Sequence, residues 1–144
     1  MSAIVVDASV GMKWFVPEAH AAEAHAWRHG PEELHVPAFF FDVEVANILW
    51  KKVQRAEITR ADADLILGQL PSLPLTRHPE SSLLALAFDL ADRTRRTVYD
   101  CLYLALAVQL GGRMLTADQR LYNSLSATPW APYVCSLSDS AKGP

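Results

Sequence analysis

Four acidic residues of this sequence could carry chemistry together, and two of them, Glu44 and Asp100, sit on elements with little solvated surface. Asp7 directly follows a β-branched run, and Asp118 comes two residues after the end of another strand-like run. Asp100 opens a long apolar run, and Glu44 lies in the first turn of a predicted amphipathic helix. Each acid has an ordinary explanation as a turn, cap or first-turn residue, or as part of a solvated face. Carboxylates in an apolar setting are nevertheless costly unless a positive charge joins them. The four acids are therefore candidates for a cation site.

Three polar residues accompany the acids. Asn47 is three residues after Glu44, so one carboxylate and one amide can point into the same site from one helical face. An exposed polar position explains Asn47 equally well. Ser9 follows Asp7 by two residues, where it can hold a ligand or cap a helix, and Thr116 ends the second strand-like run. We expect these three side chains to support the acids.

Other catalytic and cofactor-binding patterns are missing from the sequence. Neither Cys101 nor Cys135 has the spacing of a zinc site or a disulfide framework. There is no HExxH, GxGxxG or GxxxxGK(S/T) motif. The five histidines are expected on solvated helices and loops: His20, His25, His29, His35 and His78. Clustered carboxylates without imidazole or thiolate favour a hard cation bound through oxygen, Mg²⁺ or Mn²⁺.

The elements that must position these residues alternate along the chain. Apolar patterns predict strands at 3–6, 34–37, 73–75, 113–116 and 133–134. Helices are expected at 18–29, 41–55, 62–70, 81–93, 100–109 and 118–124. Such alternation favours a parallel sheet with helices on both faces. Ligands bind beyond the carboxyl ends of such strands, so the four acids can face one crevice.

Composition limits what kind of protein this is. The chain has 144 residues, of which 51% are hydrophobic and 20% charged, which suits one folded domain and excludes general disorder. We expect a single domain at 1–137 and a loose tail at 138–144. The formal net charge of −3 excludes an overall electrostatic attraction to nucleic acid. No targeting or membrane-spanning segment is expected, and the cysteine usage suits the reducing cytoplasm.

Four segments together resemble the motifs of one known family. They are VVDASVGMKWFVPE at 5–18, EVAN at 44–47, YDCLYLALA at 99–107 and TADQRL at 116–121. In order and spacing they resemble PIN-domain ribonucleases, in particular the toxins of VapBC-type toxin–antitoxin pairs. EVAN alone is a weak signal, whereas the other three in combination are specific.

The resemblance implies a fold, an activity and partners. It implies a three-layer α/β/α sandwich around a parallel sheet that cleaves RNA with Mg²⁺ or Mn²⁺. It also implies a homodimer that a cognate VapB-type antitoxin silences. The implied acidic metal site is Asp7, Glu44, Asp100 and Asp118, with Ser9, Asn47 and Thr116 orienting the ligands.

Alternatives differ in substrate or in class. A haloacid-dehalogenase-type phosphatase would need a second aspartate where Ser9 stands, which disfavours that version. A nuclease acting on DNA and a catalytically silent PIN-fold interaction module remain alternatives, and the presence of all four acids argues against the silent module. Basic side chains for flanking phosphates are Lys13, Arg93, Arg95 and Arg96, although the run 93–96 is equally typical of a solvated loop.

Overall fold

The computed structural model describes residues 3–140 and contains one five-stranded, fully parallel sheet. The strands are β1 Ile4–Val6, β2 Leu34–Pro37, β3 Thr76–His78, β4 Arg113–Thr116 and β5 Val134–Ser136. Their order in the sheet is β3-β2-β1-β4-β5, so β1 is the central strand, paired with β2 and β4. Strand β1 is buried along its whole length, as its β-branched sequence predicts.

Eight α-helices connect and cover the strands in the described part of the chain. They are α1 Ala8–Gly11, α2 Ala21–Arg28, α3 Phe40–Gln54, α4 Arg60–Gln69, α5 Leu84–Thr94, α6 Val98–Leu110, α7 Gln119–Ser126 and α8 Leu137–Ser140. The chain moves from β1 to β3 in one direction along the sheet and then returns past β1 to β5. Right-handed crossovers therefore place α2 to α4 on one face and α5 to α7 on the other. The predicted α/β architecture is confirmed.

Helix α6 forms the centre of one layer. It packs on β1, β2 and β4 with one side and on α5 with the other, which explains why it is apolar nearly all round. Thr97 caps its start by accepting a hydrogen bond from the backbone N–H of Asp100, at 3.1 Å. Gly111 ends the helix in the left-handed conformation, with φ of 64°. A Cβ on the next residue, Gly112, would lie 2.0 Å from the carbonyl oxygen of Ala3, so only glycine fits there.

The third strand lies later than predicted. Strand β3 is Thr76–His78, and the prediction of a strand at 73–75 was wrong because it followed two leucines. Leu73 instead enters the core from a loop after a short 3-10 turn. The edge strand itself is polar and is held by Arg77, whose Nη1 lies 2.9 Å from an Asp42 carboxylate oxygen and whose Nη2 donates to the Leu70 carbonyl at 2.9 Å. The contacts of the Arg77 side chain thus hold β3 in place, although its sequence has no apolar pattern.

The other strands and helices lie close to the predicted positions, with shifted ends. Helix α5 begins at Leu84 because a 3-10 turn occupies Glu80–Ser82. The last strand is Val134–Ser136, later than the predicted 133–134. Residues 138–140, expected to be loose, belong to helix α8, and 141–144 lie outside the described residues. None of the helices found between residues 3 and 140 has the length and apolar character needed to cross a bilayer.

The expectation of solvated histidines was wrong for His35. This residue is buried in β2, and its Nδ1 lies 2.9 Å from Nε2 of His78 on the neighbouring strand β3. Its Nε2 lies 3.2 Å from a Glu33 carboxylate oxygen. Burial lowers the pKa of His35 below its ordinary value, although the negative charge of Glu33 acts in the opposite direction. The contact between His35 and His78 therefore joins the edge strand β3 to β2.

Candidate active site

Asp7 has a structural role at the carboxyl end of the central strand. It follows β1 and caps α1: its Oδ1 accepts hydrogen bonds from the backbone N–H of Val10, at 3.2 Å, and from the Ser9 hydroxyl. The side chain is nearly inaccessible to solvent, with 6% of the residue exposed. Burial raises the pKa of Asp7 from 3.8 to about 6, against the lowering effect of these hydrogen bonds and of a further one with Thr116. The capping explanation of Asp7 therefore holds, and its role in a cation site stays a prediction.

Glu44 lies in α3, close enough to Asp7 and Asp100 for their charges to act on it. It is half-buried, and its Oε1 accepts a hydrogen bond from the Tyr103 hydroxyl at 2.7 Å. Burial and, to a smaller extent, the charges of Asp7 and Asp100 raise the pKa of Glu44 from 4.5 to about 7, although the hydrogen bond from Tyr103 lowers it. A carboxyl group with this pKa exchanges its proton near neutral pH.

Asp100 lies in the first turn of α6, where its backbone N–H donates to the Thr97 hydroxyl. Its Oδ2 lies 3.2 Å from Nη2 of Arg96, and both side chains are about a quarter exposed, at 27% and 29%. Burial raises the pKa of Asp100, the Arg96 guanidinium lowers it, and the Asp118 carboxylate raises it. Asp100 therefore carries both an attached cation and neighbouring like charges.

Asp118 caps α7 beyond the end of β4. Its Oδ1 accepts hydrogen bonds from the backbone N–H groups of Arg120 and Leu121, at 3.0 and 3.1 Å. Its own N–H donates to the Thr116 hydroxyl at 3.0 Å. The two strand ends of β1 and β4 are adjacent, so Asp7 and Asp118 both lie at the carboxyl edge of the central strand pair. In open parallel sheets, ligands bind beyond the carboxyl ends of the strands, which is where these two residues lie.

The four acids interact through their charges, although they come from four separate elements. Asp100 acts on the pKa of Asp7 and of Glu44, and Asp118 acts on that of Asp100. Between residues 3 and 140, no group of three or more histidine, cysteine or acidic side chains is arranged to hold a metal ion directly. Mg²⁺ usually keeps several waters and takes only one or two carboxylates from a protein, so this all-oxygen donor set fits such an ion.

Two of the three predicted supporting residues contact the acids. Besides its bond to Asp7, the Ser9 hydroxyl accepts a hydrogen bond from the backbone N–H of Ala117 at 3.0 Å, which ties α1 to the segment after β4. Thr116 is fully buried and bonds to both neighbouring aspartates. Asn47 is exposed on α3 and, among the described residues, its side chain makes no hydrogen bond. Its role stays a prediction.

The sequence argument missed Tyr103. This tyrosine is 2% exposed and is the hydrogen-bond donor to Glu44, and its ring packs against Phe40, with 5.7 Å between ring centroids. A signal was present in the sequence, because Tyr103 follows Asp100 by three residues and so lies on the same side of α6. Its apolar neighbours concealed that it is a hydroxyl donor.

Comparison with known proteins then decides the family. The PIN domain profile matches residues 4–124. The chain belongs to the PIN-domain family. It is 36% identical over 126 residues to Ribonuclease VapC3 of Pyrobaculum aerophilum, which covers 86% of this chain and 95% of that protein. It is 37% identical over 118 residues to Ribonuclease VapC3 of Mycobacterium tuberculosis, covering 82% and 84% of the two chains. The resemblance predicted from the four motifs is confirmed.

A further PIN-domain relative and a solved structure agree with this assignment. Ribonuclease VapC12 of Mycobacterium tuberculosis is 36% identical over 121 residues, covering 84% of this chain and 91% of that one. The crystal structure of PAE2754 from Pyrobaculum aerophilum superposes with a TM-score of 0.65 over 99% of this chain and 91% of that chain, at 24% identity. The structural likeness supports the fold, and the relatives support the VapC group within the PIN-domain family.

Proposed function

We propose that this chain is an endoribonuclease toxin of a toxin–antitoxin pair that hydrolyses RNA with the help of Mg²⁺ or Mn²⁺. The observation that carries the proposal is that four carboxylates from four elements act on one another's pKa, with Asp7 and Asp118 beyond the adjacent ends of β1 and β4. Asp7, Glu44, Asp100 and Asp118 are the residues proposed to hold the cation, directly or through water. The relatives named as VapC ribonucleases support RNA as the substrate.

The contacts of the four acids suit them to hold a cation. When bound, a divalent cation supplies charge neutralisation for the phosphate and lowers the pKa of an attacking water. Asp7 and Asp118 are fixed by capping bonds and so present rigid oxygens. The Tyr103 hydroxyl donates to Glu44 and so orients its carboxylate for the same cation. Ser9 and Thr116 hold the Asp7 carboxylate in place.

The proposal extends to partners and location. The VapC name implies a VapB-type antitoxin, and we extend that partner to this chain. A homodimer is part of the proposal, since apolar Leu84 and Phe88 are exposed on α5, at 55% and 69%. The cytoplasm is the proposed location, in agreement with the unpaired Cys101 and Cys135.

Cleavage of a structured RNA by the purified protein tests the reaction. We expect endonucleolytic cuts in a single-stranded loop, dependent on Mg²⁺ or Mn²⁺, that leave 5′-phosphate and 3′-hydroxyl ends. Asp100→Asn and Asp118→Asn should each reduce the rate by about a hundredfold or more, because each removes charge from the cation site. Asp89→Asn is the matched control, since Asp89 is an exposed partner of Arg93.

Two results would count against this mechanism. Cyclic 2′,3′-phosphate ends would show that the neighbouring hydroxyl of the RNA attacks, and cleavage in excess chelator would show that no divalent cation is needed. Expression in cells tests the toxin role separately. The wild-type gene alone should arrest growth, Asp100→Asn should not, and co-expression of the upstream partner gene should restore growth. A soluble wild-type protein without RNA cleavage or toxicity would favour the silent interaction module.

A further inference from the structure

Arg96 is the basic residue that reaches the acid cluster. Of the four basic side chains considered for phosphate binding, Lys13 pairs with Glu18 at 3.2 Å and Arg93 pairs with Asp89 at 3.0 Å, so neither of these ion pairs includes one of the four acids. Arg96 instead donates from Nη2 to the Asp100 carboxylate at 3.2 Å. Its side chain is 29% exposed, so solutes can reach it. The acid cluster thus contains a cation from the protein itself.

One donor of this guanidinium is unsatisfied. The Nε atom of Arg96 is buried and has no hydrogen-bond partner among the described residues. An unpaired buried donor is unfavourable, and for a charged group the cost is larger. The fork of an arginine is shaped for two parallel hydrogen bonds from Nε and a terminal nitrogen to one carboxylate or phosphate. The contact with Asp100 uses a single Nη2 bond, so Nε remains available to another acceptor.

The backbone around Arg96 is fixed, which leaves the side chain as the part that can change partner. Its backbone N–H donates to the Thr94 hydroxyl at 3.2 Å. The preceding residue, Arg95, ends α5 in the left-handed conformation, with φ of 60°, and the following residue, Thr97, caps α6. The residues on either side of Arg96, which end α5 and cap α6, therefore fix the position from which its side chain contacts Asp100.

We infer that Arg96 is the counter-ion of Asp100 in the metal-free protein, that a divalent cation competes with it for this carboxylate, and that the released guanidinium binds an RNA phosphate. A divalent ion beside Asp100 repels the guanidinium and takes over the attraction that holds it. The phosphate then offers Nε and a terminal nitrogen the two acceptors that Asp100 does not. The inference rests on the proposed function, because it requires a cation and RNA at the same site.

Metal binding alone tests the competition. The midpoint of thermal unfolding is titrated with Mn²⁺ for the wild type, Arg96→Gln, Arg96→Lys and Arg93→Gln, with circular dichroism checking each fold. Removing the competing charge should tighten the apparent Mn²⁺ affinity of Arg96→Gln about two- to fivefold, the range typical of a partly exposed ion pair. Arg96→Lys keeps the charge and should stay close to the wild type. Arg93→Gln removes a surface pair outside the site and should not change the affinity.

Binding of RNA tests the released guanidinium. A labelled RNA hairpin with a single-stranded loop is titrated in Ca²⁺ at several salt concentrations, and gels check that it stays intact. Arg96→Gln should bind more weakly than the wild type, and the slope of log affinity against log salt should decrease by about 0.7, as expected for one lost phosphate contact. Arg96→Lys loses the fork and should also bind RNA more weakly, while its Mn²⁺ affinity is kept. This pattern remains testable even if Arg96→Gln does not fold.

The outcomes separate the two proposals. A wild-type protein that neither gains stability from Mn²⁺ nor cleaves RNA overturns the proposed function and the role of Arg96 with it. A wild-type protein that does both, beside an Arg96→Gln variant with unchanged Mn²⁺ affinity, overturns only the competition. An unchanged salt slope overturns the phosphate contact, and an Arg96→Lys variant that matches Arg96→Gln in Mn²⁺ affinity shows that charge is not the cause.

Discussion

Asp7→Asn should stabilise the metal-free protein, although it removes a residue of the proposed site. The buried carboxylate has a pKa of about 6 in the folded protein against an ordinary value of 3.8. Asparagine can keep the capping bonds, because its side-chain oxygen still accepts from Val10 and Ser9. Its amide group can donate to Thr116, whose hydroxyl then turns to accept it. The substitution therefore removes a buried charge and leaves the local hydrogen bonds formed.

The magnitude follows from linkage between protonation and folding. A pKa raised by about 2 units makes the ionised Asp7 cost about 3 kcal/mol of folding free energy at pH 7, and we expect Asp7→Asn to recover about 1–3 kcal/mol. Because the folded state holds the proton more tightly, stability is lost as pH rises from about 4 to 6. The gain from Asp7→Asn should be small at about pH 4 and complete above about pH 6.

Urea unfolding at a series of pH values, with chelator present, measures this difference. Asp89→Asn is the control and should stay within about 0.5 kcal/mol of the wild type, since its ion pair with Arg93 is exposed. Adding millimolar Mn²⁺ should reverse the order, because the wild type gains more from the cation. The reasoning fails if Asp7→Asn is less stable than the wild type above pH 6 in chelator, or if its effect is the same at pH 4 and pH 7.

Three further predictions concern the fold and are all measured by urea unfolding. Gly112→Ala should lower the free energy of unfolding by more than about 3 kcal/mol, because its Cβ would meet a backbone carbonyl at 2.0 Å. Gly68→Ala, in open space on α4, should raise it by about 0.5–1 kcal/mol, and equal effects of the two substitutions would refute this. Arg77→Met should cost about 2–4 kcal/mol, while Arg60→Met, at an exposed pair, should cost less than about 1 kcal/mol. Burial lowers the pKa of His35, so the unfolded chain takes up a proton first and the wild type should lose stability as pH falls below about 6.5. His35→Gln should remove this loss, and an unchanged pH profile would contradict the reasoning.

The central part of the fold was predictable because its signals are local. Strands β1, β2 and β4 were predicted within one residue, since each is a short buried run bounded by turn residues. Helix α6 was recognisable from its apolar sequence and the two glycines that end it. Strand β3 was misplaced because an edge strand needs no apolar run when Arg77 anchors it to another element. That contact joins residues 35 positions apart, which no local pattern contains.

The candidate site was predicted as a set of acids but not as a network. The open-sheet rule placed Asp7 and Asp118 correctly at adjacent strand ends. The donor to Glu44 was missed because Tyr103 comes from a helix 59 residues away in sequence. The basic run 93–96 could not be divided by sequence alone, since only the left-handed turn at Arg95 sends one of its arginines to Asp100. Pairings between distant elements are tertiary information.

The strand order sets when during synthesis the candidate site can form. The central strand β1 is the first to be made, but one of its two neighbours is β4, which starts at Arg113. At about 5–20 residues per second, Asp7 and Asp118 are added roughly ten seconds apart. Until β4 has been made, β1 can pair only with β2, and Asp118 is not yet present. A ribosome-bound chain therefore lacks the complete set of acids until most of the protein has been made, and the candidate site is among the last parts of the molecule to be assembled.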